Sequence, residues 1–503
     1  MADDVADRRP QPSPEADLKH NAIGFVDALV IGINSTSPAY SLAAVIGPVV
    51  ALVGIYAPGV ILASFVPMLL IASAFFYLNK VDQDCGTTFS WVTRAMGPWA
   101  GWIGGWAIMM TGVLVVGSLA DVAIGFGLLA VGLDSWADNA VVRQTLTVLL
   151  ILVMTAVCVI GTEASARVQN VLILAQIACL LAFAVVAIYR VYAGTASLPS
   201  IEPKFSWLDP FGAGGAALTG GLLLGVFMYW GWESAVNLTE EVEDSASAPG
   251  RAGIWSTIVL LVSYLSVGIA VVAYAGPAFL AENAGEEEFI FGLLAGEVMG
   301  GWDWIVLLAV ATSALASTQT TIIPSSRTAL SMARRHALPS VFARIHPRFH
   351  TPHVATWAVA VVAILWYVVV NLISENALFD SLTALSLLIA FYYALTGLAC
   401  AVYYRRHLTE SVRNFFLIGV GPLVGAALLA WLLVESIGDM SDPANSYSGV
   451  SWFGLGPPLV IGIGIVLVGL IIMVARRLTS AEFWRERAGV CDPAMVRAGK
   501  KES

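Results

Sequence analysis

Residues 31–39 read Ile31-Gly32-Ile33-Asn34-Ser35-Thr36-Ser37-Pro38-Ala39, with apolar sequence on either side. Five successive positions, Asn34 to Pro38, are polar or helix-breaking in the middle of a stretch long enough to cross a membrane. Proline has no N–H to give to a helix, and it disfavours helix at the residue before it. Ser37-Pro38 also reads as an N-cap followed by a first helical residue. The helix is therefore expected to break here and a second half-helix to start. Inside a membrane, free backbone is tolerated only around a cavity or a ligand.

Outward from this break the chain is membrane-like throughout. Of its 503 residues, 58% are hydrophobic and 12% charged, about half the charged share of a soluble domain. Twelve apolar stretches are long enough to span: 22–52, 56–79, 97–132, 142–161, 165–192, 216–244, 252–275, 302–332, 354–373, 377–404, 411–437 and 451–478. None alternates at period 2, so the fold class is an all-α integral membrane protein and not a β-barrel. Residues 1–21, acidic and proline-rich, read as a disordered tail, 22–478 as one helical domain, and 479–503 as a second tail. Lys and Arg set the orientation. With both ends cytoplasmic, all 25 basic residues except Arg143, Arg190 and Lys204 fall inside, which points to a multi-pass protein of the cell membrane. The five cysteines show no C-x-x-C spacing and read as reduced and structural.

A second span is also interrupted. Span 6 reads Phe227-Met228-Tyr229-Trp230-Gly231-Trp232-Glu233-Ser234, with a glycine and a carboxylate in an apolar run. Spans 1 and 6 correspond if spans 6–10 repeat spans 1–5. Paired interruptions at matching positions point to a transporter site at mid-membrane. Ile33, Asn34, Ser35, Thr36 and Ser37 from one break, and Phe227, Tyr229, Trp230 and Gly231 from the other, are the candidate substrate-binding residues. The half-helix starting at Pro38 directs its positive end at that site and suits a carboxylate. A carboxylate such as Glu233 costs roughly 2.5–3.5 kcal/mol at mid-span on insertion scales and is expected to act there. Three roles stay open: carrying a coupling proton, countering a cationic group of the substrate, or bonding to the broken backbone of span 1.

Four stretches carry a family resemblance. They are the broken span 1; Cys85-Gly86-Thr87-Thr88-Phe89-Ser90-Trp91-Val92, running on to Gly97-Pro98, Gly101-Trp102 and Gly105-Trp106; Gly231-Trp232-Glu233-Ser234-Ala235 with Glu240-Glu241, Pro249 and Arg251; and Ser326-Arg327 through Met332-Ala333-Arg334, Leu338-Pro339, His346-Pro347 and Thr351-Pro352. Together, over about residues 22–405, the chain resembles the amino acid–polyamine–organocation (APC) superfamily of permeases. The resemblance implies the LeuT-type fold: a 5+5 inverted repeat with broken helices 1 and 6, plus two C-terminal helices. It implies that the amides of Ser35, Thr36 and Ser37 bind a substrate carboxylate, that Phe227 closes over the substrate, and that Arg327 and Arg334 are structural. Two departures stand out. Thr36 and Pro38 replace small residues at the span 1 break. Gln176 stands where some proton-coupled relatives have lysine, and it cannot titrate.

The expected function is a secondary active transporter for a small amino acid or related amine, by proton-coupled symport or exchange. One alternative is a polyamine or cationic-amine carrier using Glu233 as counter-charge. Another is a receptor that binds an amino acid without moving it. Thr312, Ser313 and Ser317 on span 8 are weak Na⁺ candidates, since hydroxyls with span 1 carbonyls suit a hard cation. Such residues also pack helices in lipid, so H⁺ is preferred over Na⁺ as the coupling ion. His346, His350 and His353 lack the spacing and acidic company of a metal shell. No catalytic pair, cofactor motif or nucleic-acid patch is evident, so no enzyme activity, cofactor or nucleic-acid partner is expected.

Overall fold

A computed structural model of the chain describes residues 18–161, 163–283, 290–373, 377–446 and 448–491. The described elements are helical, with only two isolated β-bridges. Span 1 is split into α1 (Phe25–Thr36) and α2 (Pro38–Val53), and span 2 is α3 (Ala57–Asn79). A nine-residue helix, α4 (Thr88–Met96), precedes span 3, which is α5 (Pro98–Ala130). A short α6 (Asp134–Ala137) leads to span 4, α7 (Ala140–Ile160), and span 5, α8 (Glu163–Tyr192). Span 6 is split into α9 (Gly215–Tyr229) and α10 (Ser234–Asn237), and span 7 is α11 (Ala248–Glu282). Then come α12 (Ile290–Met299) and spans 8 to 10: α13 (Asp303–Arg334), α14 (His353–Ile373) and α15 (Ala377–Tyr403). Span 11 begins at α16 (Val412–Asn414) and continues through a π turn into α17 (Gly421–Met440), and span 12 is α18 (Pro457–Thr479). Each span is long and apolar enough to cross a membrane, residues 25–79 carrying two.

The repeat is visible in the packing. Span 1 lies on span 6, α3 on α11, α5 on α13, and α7 on α14, so these four spans each meet their counterpart. The helices α4 and α12 occupy matching places in the two sets, between spans 2 and 3 and between spans 7 and 8. Neither was expected as a separate element, because both are too short to register as a span.

Both ends of the described chain lie on one side of the bundle, the terminal face. Residues 22–23 bond there to Glu241, Arg335 to Glu486, and His407 to Cys491. Arg143 and Arg190 lie at the opposite ends of their helices.

Three boundaries differ from expectation. Span 6 leaves the helical path at Asn237, not 244, and turns through Thr239–Glu241. Residues 1–17 of the expected N-terminal tail lie outside the described residues, but Leu18 is buried against Cys85 and Leu330. The expected C-terminal tail folds back over the terminal face as far as residue 491. Phe483 stacks on Phe89, Trp484 packs on Trp99, and the N–H groups of Gly489 and Cys491 donate to Arg94 O and Tyr403 O. Aromatic side chains bury enough apolar surface to hold a segment whose own helix is a single 3₁₀ turn, Phe483–Arg485.

Candidate substrate site

The two breaks touch. Span 1 changes direction at one residue, Ser37, whose φ of 55° and ψ of 67° are left-handed. This is narrower than the five-residue break expected, because Asn34, Ser35 and Thr36 keep helical geometry at the end of α1. Span 6 breaks over Trp230–Glu233, between α9 and α10. Gly231 has φ +117°, and a Cβ there would lie 2.7 Å from Ser35 O and 2.8 Å from Thr36 N. Only glycine fits, on both counts: the backbone conformation and the close approach of the other break.

The freed backbone of span 1 is met by hydroxyls from two helices. Ser317 Oγ on α13 donates to Ser35 O at 2.8 Å, and Ser41 Oγ donates to Thr36 O at 2.7 Å. Ser35 Oγ pairs with Ser234 Oγ at 2.6 Å, tying span 1 to α10. The Ser37 N–H donates to Asn34 O and Ile33 O. The Ser37 hydroxyl does not cap α2 as the sequence suggested. The left-handed backbone sends it to Ser313 Oγ at 3.0 Å, and the first N–H groups of α2 have no side-chain cap. The Asn34 side chain is 1% exposed, and neither its amide nitrogen nor its oxygen finds a partner. A buried, unmatched amide costs about 1–3 kcal/mol, which a ligand with polar groups would recover.

Glu233 lies in its own break, and span 10 holds it. Tyr392 donates its hydroxyl to Oε1, Tyr393 donates to Oε2 at 2.5 Å, and the Gly231 N–H donates to Oε2 at 3.1 Å. Trp230 Nε1 in turn donates to the Tyr392 hydroxyl. The Trp232 ring stacks on Tyr393, with centroids 5.7 Å apart. Of the three readings of Glu233, the bond to span 1 backbone is not formed; its backbone partner is in span 6.

The remaining candidates divide. Phe227 is buried one turn before the break, and its carbonyl accepts from the Trp230 N–H. Tyr229 turns away: its hydroxyl donates to Ile61 O at 3.2 Å and its ring packs on Phe65 and Tyr264. It belongs to the wall between spans 2, 6 and 7, because consecutive helical residues face different directions. Ser313 and Ser317 reach span 1, whereas Thr312 bonds back into its own helix. Ser317 already donates to the carbonyl that a cation would use.

On the terminal face an ionic lattice closes the bundle beneath the breaks. Arg327, fully buried, donates through Nε and Nη2 to Glu241 Oε1 at 3.0 and 2.9 Å. Arg334 pairs with Glu240 Oε2 at 2.8 Å, and the Cys85 N–H donates to Glu240 Oε1 at 3.0 Å. The lattice joins span 6, span 8 and the loop before α4. Asp84, Cys85 and Glu240 also come within metal-ligand distance of one another, a grouping the sequence did not reveal. Burial pushes the Cys85 thiol well above its usual pKa, away from the thiolate a metal needs. The acidic pair Glu240-Glu241 and the arginines of span 8 were legible as motif residues, but their pairing was not. Nothing in the sequence of span 10 sets Tyr392-Tyr393 apart from packing aromatics. Ser41 carried no signal, and Ser234 stood out only as part of the span 6 motif.

Comparisons with known proteins agree with this geometry. The chain is 27% identical to an uncharacterized transporter of Mycobacterium tuberculosis, over 93% of this chain and 96% of the relative. It is 24% identical to the methylthioribose transporter of Bacillus subtilis, over 75% and 77% of the two chains. It is 22% identical to a branched-chain amino acid permease of Lactococcus lactis, over 81% and 87%. The sequence profile of the amino acid permease family matches residues 23–474. With eleven apolar helical stretches long enough to span among the described residues, the first of them holding spans 1 and 2, two breaks in contact and a match over nearly the whole chain, this protein belongs to the amino acid permease family, whose members are membrane transporters and not enzymes.

Proposed function

We propose that this permease carries a small amino acid or related amine by alternating access, coupled to protons, with its terminal face in the cytoplasm. The observation that carries the reading is the contact between the two breaks, with the buried, unmatched Asn34 amide in the same turn of span 1. In this reading the substrate carboxylate sits at the uncapped start of α2, and its amine meets carbonyls of the span 6 break. Phe227, Trp230, Gly231 and residues 33–37 form the walls. The relatives support the transporter class but name different cargoes, so the amino acid assignment rests on the site.

Glu233 is the proton carrier in this scheme. Three donors converge on its carboxylate, which suits the anion. A proton on either oxygen would turn an acceptor into a donor, so the tyrosine there must accept where it now donates, and the charge-assisted bond between span 10 and span 6 weakens. The same three donors leave little room for a polyamine counter-charge. Engagement of Ser313 and Ser317 with span 1 argues for H⁺ over Na⁺. The orientation is supported by the concentration of Lys and Arg on the terminal face.

The test is uptake in liposomes across a panel of amino acids and amines, with and without a pH gradient and with and without Na⁺. Accumulation of an amino acid driven by the pH gradient alone is expected. No uptake or exchange of any member under any gradient overturns the reading. Saturable binding without flux would make the protein a receptor instead.

A further inference from the structure

One cavity lies away from the breaks. It is a groove of about 670 Å³ on the flank of the bundle, between α5, α14 and α18. None of its lining residues has a charged, hydroxyl or amide side chain. It runs along α18 from Val460 to Ile472, a rise of about 18 Å, close to the hydrocarbon depth of one leaflet. That length and the wholly apolar lining suit an acyl chain.

The terminal-face end of the groove carries a cation. Ile461, Ile465, Val468 and Ile472 line the groove from one face of α18, and Arg476 lies one turn further along that face. Its Nη2 donates to the carbonyls of His336 and Leu338, both at 3.3 Å, and Leu338 itself lines the groove. Its Nε is buried without a partner, and no carboxylate pairs with it among the described residues. Arg335 and His336 nearby contact Glu486 and Glu482, while the Nη1 of Arg476 donates to Thr479 Oγ1 at 3.5 Å.

We propose that the groove is a site for an anionic phospholipid, one acyl chain lying along α18 and the phosphate resting on Arg476. A basic residue closing an apolar groove between helices is the arrangement that selects anionic headgroups over zwitterionic ones. Gly464 opens the groove: a Cβ there would meet nothing within 4 Å, so the groove can be filled without a clash on the backbone.

The experiment compares the full chain with Arg476→Gln and Gly464→Phe. Each is purified, delipidated and titrated with dioleoyl phosphatidylglycerol or dioleoyl phosphatidylcholine. Native mass spectrometry counts retained lipid, and unfolding temperature is read in parallel. The parent protein is expected to retain phosphatidylglycerol in preference to phosphatidylcholine, on the order of five-fold, the effect of one arginine at an anionic surface. Arg476→Gln should erase the preference while still retaining lipid, and Gly464→Phe should reduce retention of both. Equal retention of the two lipids by the parent protein overturns the proposal, as does a preference that survives both substitutions. A dimer that Gly464→Phe converts to monomer, without change in lipid, would show that a second copy covers the groove and would also overturn it.

Discussion

Replacing Gly231 by alanine tests whether the two breaks depend on each other. The new methyl carbon would stand 2.7 Å from Ser35 O and 2.8 Å from Ser35 C and Thr36 N, all backbone atoms that cannot rotate away. Relief requires span 1 to retreat, which stretches the Ser35–Ser234 contact of 2.6 Å and the Ser317–Ser35 bond of 2.8 Å. Overpacking of this kind costs about 1–3 kcal/mol. Holding alanine at φ +117° adds roughly 1–3 kcal/mol. The sum, about 2–6 kcal/mol, is large beside the marginal stability of a folded protein. The control is Gly464→Ala on α18, where the Cβ meets nothing and alanine should be neutral or slightly stabilising. Thermal unfolding of both variants in the same detergent, with uptake in liposomes, measures the effect. Gly231→Ala is expected to unfold at a clearly lower temperature than the control and to lose transport. Parental stability and uptake in Gly231→Ala would refute the contact between the breaks.

Glu233→Gln should keep substrate exchange but lose accumulation driven by a pH gradient. Unchanged accumulation in liposomes would remove Glu233 from the coupling role. Glu241→Gln leaves Arg327 charged and buried without its partner and should cost about 3–5 kcal/mol. Adding Arg327→Met to it should recover part of that loss, and a double variant no more stable than Glu241→Gln alone would contradict the pairing. Ser317→Ala removes the donor to Ser35 O and should cost about 1–3 kcal/mol, read as a lower unfolding temperature. Burial at the terminal face raises the pKa of Asp82 to about 6 despite the opposing Arg94 and Ser90 contacts. The folded state therefore binds this proton more tightly than the unfolded chain. Its contribution is fully present below the unfolded pKa and is lost as pH rises through about 6. Asp82→Asn should flatten the stability profile between about pH 4 and 6, and a profile unchanged by the substitution would refute this assignment.

The order and number of spans could be read from the sequence, because lipid forces each apolar stretch of sufficient length into a helix whatever its neighbours do. The breaks were legible for a related reason: Pro38 and Gly231 act on the backbone locally, and Asn34–Ser37 and Glu233 have no place in an apolar helix without a task. The sequence also marked the acids of span 6 and the arginines of span 8, since charges near a membrane stand out singly. It did not say which pair meets which. Glu233 bonding to Tyr392 and Tyr393, Ser317 to Ser35 O, and Arg327 to Glu241 join residues between 86 and 282 positions apart. Hydroxyls and aromatics are common in every span, and local pattern cannot tell a packing serine from one that satisfies a freed carbonyl. The width of the break, the outward turn of Tyr229 and the failure of Ser37 to cap α2 depended on side-chain direction at a left-handed residue, which only contact between spans 1, 6 and 8 decides. The docking of residues 480–491 was hidden for the same reason. Its aromatic anchors gain their partners only when α4 and span 3 present Phe89 and Trp99 on one face.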